Sequence, residues 1–289
     1  MSLGDTLAAA RTRLGDARLE FACCDTEFTV RVTGFRADIA AERARETALS
    51  LAADLDAFDP ESVVARLNRT GRVENEHVAR LVRRGLEYGE RTDGVFDVRQ
   101  GAVEHELKAY LRGDREAVSA TFETGSVRVD GDRVVTETAL DLNGLAKGYI
   151  VDRATAAVSG PGRRGFVSGG GDMSPPTGPI AVESPYGDSR PLTVLETDWN
   201  VATSGGYRRE RDGIDHVYDP TSERLGARHE SVTVVAKRDC TEADALATAL
   251  AALPLADALE RATAWPALEA FVVHDGVFRT TEGFDAHVA

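Results

Sequence analysis

Residues Asp141 to Asp152 (Asp-Leu-Asn-Gly-Leu-Ala-Lys-Gly-Tyr-Ile-Val-Asp) place a carboxylate, a Gly-containing turn and a lysine where a strand end gives way to a helix. Backbone N–H groups gather at such a junction and can face an anion. Lys147 in the first turn works against the helix dipole, so the position calls for something negative nearby. The chain has only three lysines, Lys108, Lys147 and Lys237, and uses arginine as its default cation. Taken alone, an ordinary strand–turn–helix junction with an incidental lysine is the simpler account.

Other stretches carry similar ambiguity. Asp244 and Thr248 stand at i and i+4 of a helical stretch, so both point the same way and can offer oxygen ligands to a hard cation such as Mg²⁺ or Ca²⁺. Capping explains the same start, with Thr241 as N-cap and Asp244 three residues on. Gly169-Gly170-Gly171-Asp172 lets backbone approach a ligand, with Asp172 holding a ribose hydroxyl or a loop; a tight turn needs the same residues. Thr203-Ser204-Gly205-Gly206-Tyr207-Arg208 offers two hydroxyls and a cation. His216, close to Asp219-Pro220, can serve as a general base or simply hold the turn. Gly94-Val95-Phe96-Asp97 presents an aromatic ring and a carboxylate on a loop, to stack on a ring or to cap the core.

The elements that must position these groups follow from periodicity. A short N-terminal helix leads to a strand over Glu27–Gly34 with Phe28, Val30 and Val32 on one face. Asp38–Phe58 is a helix with Ala40, Ala44, Ala48, Leu51 and Leu55 aligned, and helices follow at Ser62–Asn68 and Glu76–Arg91. Phe96–Gly113 reads as a polar, Gly-containing region. A hairpin surrounds Asp130-Gly131-Asp132. The helix opened by the first segment runs through Ala157. Short strands are expected at Gly165–Ser168, Pro179–Glu183, Leu192–Glu196, Asn200–Ala202, His216–Tyr218 and Ser231–Ala236. Helices at Thr241–Ala252 and Ala256–Ala264 and a last hairpin, Phe271–Val273 with Val277–Arg279, complete the chain. Helices and strands mix without strict βαβ alternation. The class is therefore α+β, with mixed or antiparallel sheets and packed helices, one domain over residues 1–289 that can divide into two lobes, residues 1–20 being an N-terminal extension.

Composition narrows the function. With 289 residues, 42% hydrophobic and 28% charged, this is the make-up of a soluble globular protein. Asp and Glu number 48 against 34 Lys and Arg, a net charge of −14 that argues against nucleic-acid or anionic-membrane binding. The longest uncharged apolar run, Ala245 to Ala256, is too short to span a bilayer. Charges at Asp5, Arg11, Arg13, Asp16, Arg18 and Glu20 leave no signal-like apolar stretch, and three cysteines, Cys23, Cys24 and Cys240, fit reduced thiols; a cytoplasmic protein is expected.

In order and spacing, these segments resemble the FAD:protein FMN transferase (ApbE) family. The family's Leu-Asp-Leu-Gly-Gly-Ile-Ala-Lys-Gly-Tyr-x-x-Asp is matched by Leu140 to Asp152. Its Gly-Gly-Asp is matched by Gly170 to Asp172 and its Thr-Ser-Gly-x-Tyr by Thr203 to Tyr207. His216 to Pro220 answers to His-Ile-x-Asp-Pro, and Ala243 to Ala249 to Ala-Asp-Ala-x-x-Thr-Ala. Gly94 to Asp97 and Ser62 to Asn68 supply two further elements. Two positions depart: the family's Met-Gly-Thr is Cys24-Asp25-Thr26, and its Asp-Pro-x-Thr-Gly is Asp219 to Glu223.

The resemblance implies FAD as donor and Mg²⁺ as cofactor, AMP as product, and FMN joined through a phosphoester to a Thr or Ser hydroxyl of an acceptor protein. It implies Asp244 and Thr248 as metal ligands, with oxygens at Gly144 and Thr241 completing the set. Phe58, Val95, Phe96, Asp97, Asp141, Lys147, Asp172 and Val217 become FAD contacts. Lys147 and Asp244 take part in catalysis, and His216 becomes the base for the acceptor hydroxyl. A metal-dependent FAD pyrophosphatase would use the same residues with water as nucleophile; a flavin-storage protein would need neither base nor metal helix.

Overall fold

A computed structural model describes residues 14–175, 178–187, 190–206 and 210–289. Eight antiparallel strands build the main sheet, in the order β1-β2-β6-β7-β10-β13-β14-β15. They are β1 (Leu14–Cys23), β2 (Thr26–Phe35), β6 (Arg163–Gly169), β7 (Asp172–Ser174), β10 (Asn200–Ser204), β13 (Ser231–Ala236), β14 (Leu268–His274) and β15 (Val277–Thr280). Three smaller sheets join β3 (Arg72–Glu74), β5 (Arg133–Thr136) and β4 (Val127–Asp130); β8 (Ile180–Val182) and β9 (Thr193–Leu195); and β11 (Tyr218–Asp219) and β12 (Arg224–Leu225).

β1 takes in residues 14–20 of the stretch expected to be an extension. Ala17, Leu19, Phe21 and Cys23 alternate with Arg18 and Glu20 and lay one face of this edge strand on the main core, and ten paired positions of β2 hold it in register. The short N-terminal helix expected before it lies in residues 1–13, outside the described residues.

Seven helices are described: α1 (Ala37–Leu55), α2 (Val63–Thr70), α3 (Glu76–Arg91), α4 (Gly101–Arg112), α5 (Asn143–Val158), α6 (Cys240–Ala252) and α7 (Leu255–Ala264). Ala37, Ala40, Ala41, Ala44 and Ala48 of α1 are buried together with Leu51 and Leu55, and their small size lets α1 pack closely along α5 and β1. Ser62 caps α2 by accepting from the Ala65 N–H, and Gly71 ends it in the left-handed conformation. α4 falls where a polar, irregular region was expected; its amphipathic face of Val103, Leu107 and Tyr110 forms a small core with Tyr218. β13 is buried along its whole length, Val232 and Val234 facing the main core and Val235 a second one with Ile180, Leu195 and Phe271. Burial on both faces explains its continuous apolar run.

α5 and α6 cross in the main core. Gly144 and Gly148, one turn apart on α5, face α6. A Cβ on Gly148 would lie 2.4 Å from the Cys240 carbonyl oxygen and 2.8 Å from the Asp244 Cβ. Such contact leaves no room for a methyl group, so Gly148→Ala is expected to destabilise the fold by about 2 kcal/mol through overpacking. In urea denaturation the midpoint should drop with the slope unchanged. Gly15→Ala is the comparison: nothing lies within 4 Å of its added Cβ, and its midpoint should stay near that of the parent.

Candidate functional site

Lys147 ends between two carboxylates. Its Nζ is hydrogen-bonded to Asp172 and lies 3.2 Å from Asp244 Oδ1. Asp244 is fixed from its other side, where Oδ2 accepts the Gly148 N–H at 2.8 Å. The negative partner that Lys147 calls for is thus supplied by the chain itself, from β7 and α6. Burial opposes the ammonium, yet Asp172 and Asp244 outweigh it and hold Lys147 above the ordinary lysine range. Asp172 is fully buried, and burial, with Asp244 adding to it, pushes its carboxyl well above the usual carboxylate range. Its Oδ1 has no hydrogen-bond partner among the described residues.

A second group gathers at the start of α5. The Phe96 ring closes on Gly144: its Cε2 would lie 2.9 Å from an added Cβ, and the Thr248 methyl carbon 3.4 Å away. Phe96, Gly144 and Thr248 therefore share one contact, with Thr248 a turn beyond Asp244 on α6. The segment after Phe96 and the one before α5 are joined by backbone bonds, Asp141 N to Val98 O at 2.9 Å and Gly101 N to Ala139 O at 3.2 Å. Asn68 secures the segment before α5 by bonding both the N–H and the carbonyl of Leu140 at 2.8 Å.

Asp141 accepts from Lys108 Nζ at 3.0 Å and from the Asn143 backbone and side chain. Lys108 also sits 4.7 Å above the Phe58 ring, which stacks on His105. Glu104 lies one turn back on α4, 3.7 Å from Lys108.

Other expected residues are held elsewhere. Asp97 is buried and bound to Arg99 through both its side chain and its N–H. It lines a cavity of about 280 Å³ with Leu86, Gly89, Glu90, Asp93, Gly94 and Arg99, a cleft to which neither Lys147 nor Asp244 contributes. Val95 and Val217 are core residues. Thr241 is not an N-cap: Asp239 caps α6, accepting from the Glu242 N–H, and Thr241 points its hydroxyl at Asp152, 2.6 Å away. Asp244, likewise, bonds Gly148 and Lys147 rather than a capping partner.

His216 is half-buried just before β11, which packs on α6. Asp215 fixes this loop by accepting the N–H groups of Val217, at 2.7 Å, and Ala227, at 3.0 Å. Thr203 bonds Thr233 at 2.9 Å, whereas Tyr207 and Arg208 lie outside the described residues.

Three residues of consequence escaped sequence reasoning. Asp152 accepts the N–H groups of Cys240 and Thr241, so a carboxylate from α5 caps the positive end of α6. Lys108 and Glu104 sat in the region read as irregular; the rarity of lysine and their i,i+4 spacing were the available signals.

Burial pushes Glu104 up to about 8; Asp141 and Asp215 add to the shift and Lys108 opposes it. The folded chain then keeps a proton that an unfolded glutamate, ordinarily at 4.5, releases. That contribution to stability is complete below the ordinary value and is lost as pH rises through the folded one. Wild-type urea midpoints should fall between about pH 5 and pH 8, and Glu104→Gln should flatten that fall. Parallel profiles for the two proteins would show Glu104 to be ionised in the fold.

Residues 24–272 match the ApbE family. Among solved structures, the chain is similar to the ApbE protein of Thermotoga maritima, at 25% identity and a TM-score of 0.80, over 95% of this chain and 100% of that one. It is also similar to the apo flavinyl transferase ApbE of Pseudomonas stutzeri (23% identity, TM-score 0.78, 96% of this chain and 99% of the other). The flavin transferase ApbE of Vibrio cholerae gives 19% identity and a TM-score of 0.75, over 95% and 99%. No curated protein matches the chain. The mixed α+β fold with its antiparallel sheets is that of these structures, and with most of its length matched the chain belongs to the ApbE family.

Proposed function

We propose that this chain is a FAD:protein FMN transferase, one catalytic domain that moves FMN from FAD to a Thr or Ser hydroxyl of an acceptor protein. The observation that carries the proposal is the Lys147 ammonium held between Asp172 and Asp244 beside Thr248, in a chain matched to ApbE over residues 24–272. The acceptor hydroxyl attacks the FMN-side phosphorus, the bridging P–O bond breaks and AMP leaves. Lys147 is placed to offset charge on the pyrophosphate oxygens. His216, in the loop anchored by Asp215, takes the hydroxyl proton. Asp141 and the Phe58, Phe96 and Asp97 segments flank the start of α5 and would position the donor.

The residues fit a hard divalent ion. Asp244, the Thr248 hydroxyl and oxygens at Gly144 and Thr241 are all oxygen donors, and Asp172 Oδ1 in the same cluster has no hydrogen-bond partner among the described residues. Among the described residues no group of three or more His, Cys, Asp or Glu is placed to hold a metal. A sparse carboxylate set suits Mg²⁺, which keeps waters and leans on substrate phosphates. When bound there, Mg²⁺ would supply Lewis-acid neutralisation of phosphate charge. No helix among the described residues is long and apolar enough to cross a membrane. We place the protein in the cytoplasm on its three unpaired thiols.

Incubation with FAD and Mg²⁺ should release AMP, and EDTA should stop it. With an acceptor protein present, a flavin-fluorescent band should survive a denaturing gel. AMP release with no such band would point to a hydrolase, and intact FAD to a storage protein. Asp244→Ala should abolish turnover, and His216→Ala should slow transfer by roughly 10²-fold or more, the usual scale for a lost general base. Unchanged transfer by the His216 variant would remove it as the base.

A further inference from the structure

The hairpin joining β1 and β2 carries two adjacent cysteines at its tip. Cys24 and Asp25 both hold positive φ, 53° and 55°, the geometry of a tight two-residue turn in which Asn and Gly are the usual occupants. Cys23 pairs with Thr26 across this turn. The two sulfur atoms lie 3.7 Å apart. Cys23 is buried, its Sγ 3.8 Å from the Ala48 carbonyl, while Cys24 is exposed. The tip also seats on the loop that delivers Asp172: a Cβ on Gly170 would lie 2.8 Å from the Thr26 methyl carbon. The hydrogen bond with Cys23 and burial push the Cys24 thiol above its ordinary range, with lesser effects from Lys147, which lowers it, and Asp244, which raises it.

We propose that Cys23 and Cys24 are a vicinal dithiol which low-molecular-weight disulfides oxidise, and that the oxidised tip no longer seats on Gly170 and weakens donor binding at the Lys147 site. The Sγ–Sγ hydrogen bond holds the Cys23 thiol below and the Cys24 thiol above its ordinary value, so the exposed Cys24 passes its proton to Cys23 as it attacks one sulfur of the disulfide and expels a thiolate. Cys23, as thiolate, then attacks Cys24 Sγ of the mixed disulfide, closing the Cys23–Cys24 bond and expelling the second thiolate. The two cysteine protons pass through solvent to the expelled thiolates. Two cysteine thiols thus lose two electrons and the small disulfide gains them. Adjacent residues hold their Cα atoms about 3.8 Å apart, nearer than disulfides ordinarily span. Closure therefore forces the turn to move, and the strained bond is readily reduced again.

The binding half of this proposal rests on the donor-site assignment made above. Full-length protein would be treated with glutathione disulfide, then examined by intact mass, peptide mapping and FAD titration. The expected product is lighter by two hydrogens, maps to Cys23–Cys24, and binds FAD about tenfold more weakly until dithiothreitol restores it. Cys23→Ala should stop at a glutathione adduct on Cys24, and Cys24→Ser should show no change of FAD affinity on treatment. No loss of two hydrogens in the wild type, or oxidised protein that binds FAD as the reduced form does, would overturn the proposal. Reduced protein that fails to bind FAD at all would instead overturn the donor assignment, and the gating with it, while the mass result still reports on the dithiol.

Discussion

Close approach of α5 to α6 is the constraint on which the rest of the site depends. Gly144 and Gly148 present no side chain to α6, so backbone meets backbone near Cys240 and the Asp244 carboxylate reaches the Gly148 N–H. Asp152, one turn further along α5, accepts the first N–H groups of α6 and locks the axial position of one helix against the other. With that register set, Asp244 falls beside Lys147 and Thr248 beside Gly144. A slide of α6 by one residue would turn these groups away by about a quarter of a turn. Gly148 and Asp152 thus set the positions of Lys147, Asp244 and Thr248.

The electrostatics follow from that geometry. Lysine is scarce in this chain, and two of its three lysines sit against buried carboxylates flanking the start of α5. A compact ammonium can touch Asp172 and Asp244 at once, whereas a planar guanidinium favours one carboxylate held side-on, as Arg84 holds Asp239. In both lysine clusters burial disfavours charge, and neighbouring charges decide its sign. Lys147 and Lys108 are kept charged by their carboxylates, while Glu104 is driven toward its neutral form.

What the sequence revealed and what it hid divide along the same line. α3, with Asn75 capping it and an amphipathic face, was legible to the residue, as was the alanine stripe of α1, because such signals are local. β1 was passed over although Ala17, Leu19, Phe21 and Cys23 alternate with polar neighbours, because the run has no β-branched residue to mark it as a strand; its place comes from pairing with β2. α4 was hidden by its glycine start and dense charge. Thr241 looked like a cap because a hydroxyl before an acid is the local signature of one, but Asp239, two residues earlier, took the role. The contacts that make the site, Lys147 with Asp244 and Asp152 with Thr241, span 97 and 89 residues. No window of sequence contains both partners, so neither contact was foreseen.

This division bears on what a motif match means. Within Leu140 to Asp152, Leu140 is clamped by Asn68, Gly144 and Gly148 admit α6, and Asp152 caps it; Lys147 alone reaches into the charged cluster. Most of the recognisable pattern therefore encodes how two helices and a strand are fitted together. The proposed chemistry rests on a smaller set whose members come from β7, α5, α6 and the loop before β11. Cys24-Asp25 illustrates the distinction: Asp25 adopts the left-handed backbone that the family's glycine would supply, so the turn is preserved. The side chains at its tip are then free to differ, and here they bring two thiols to the edge of the charged cluster.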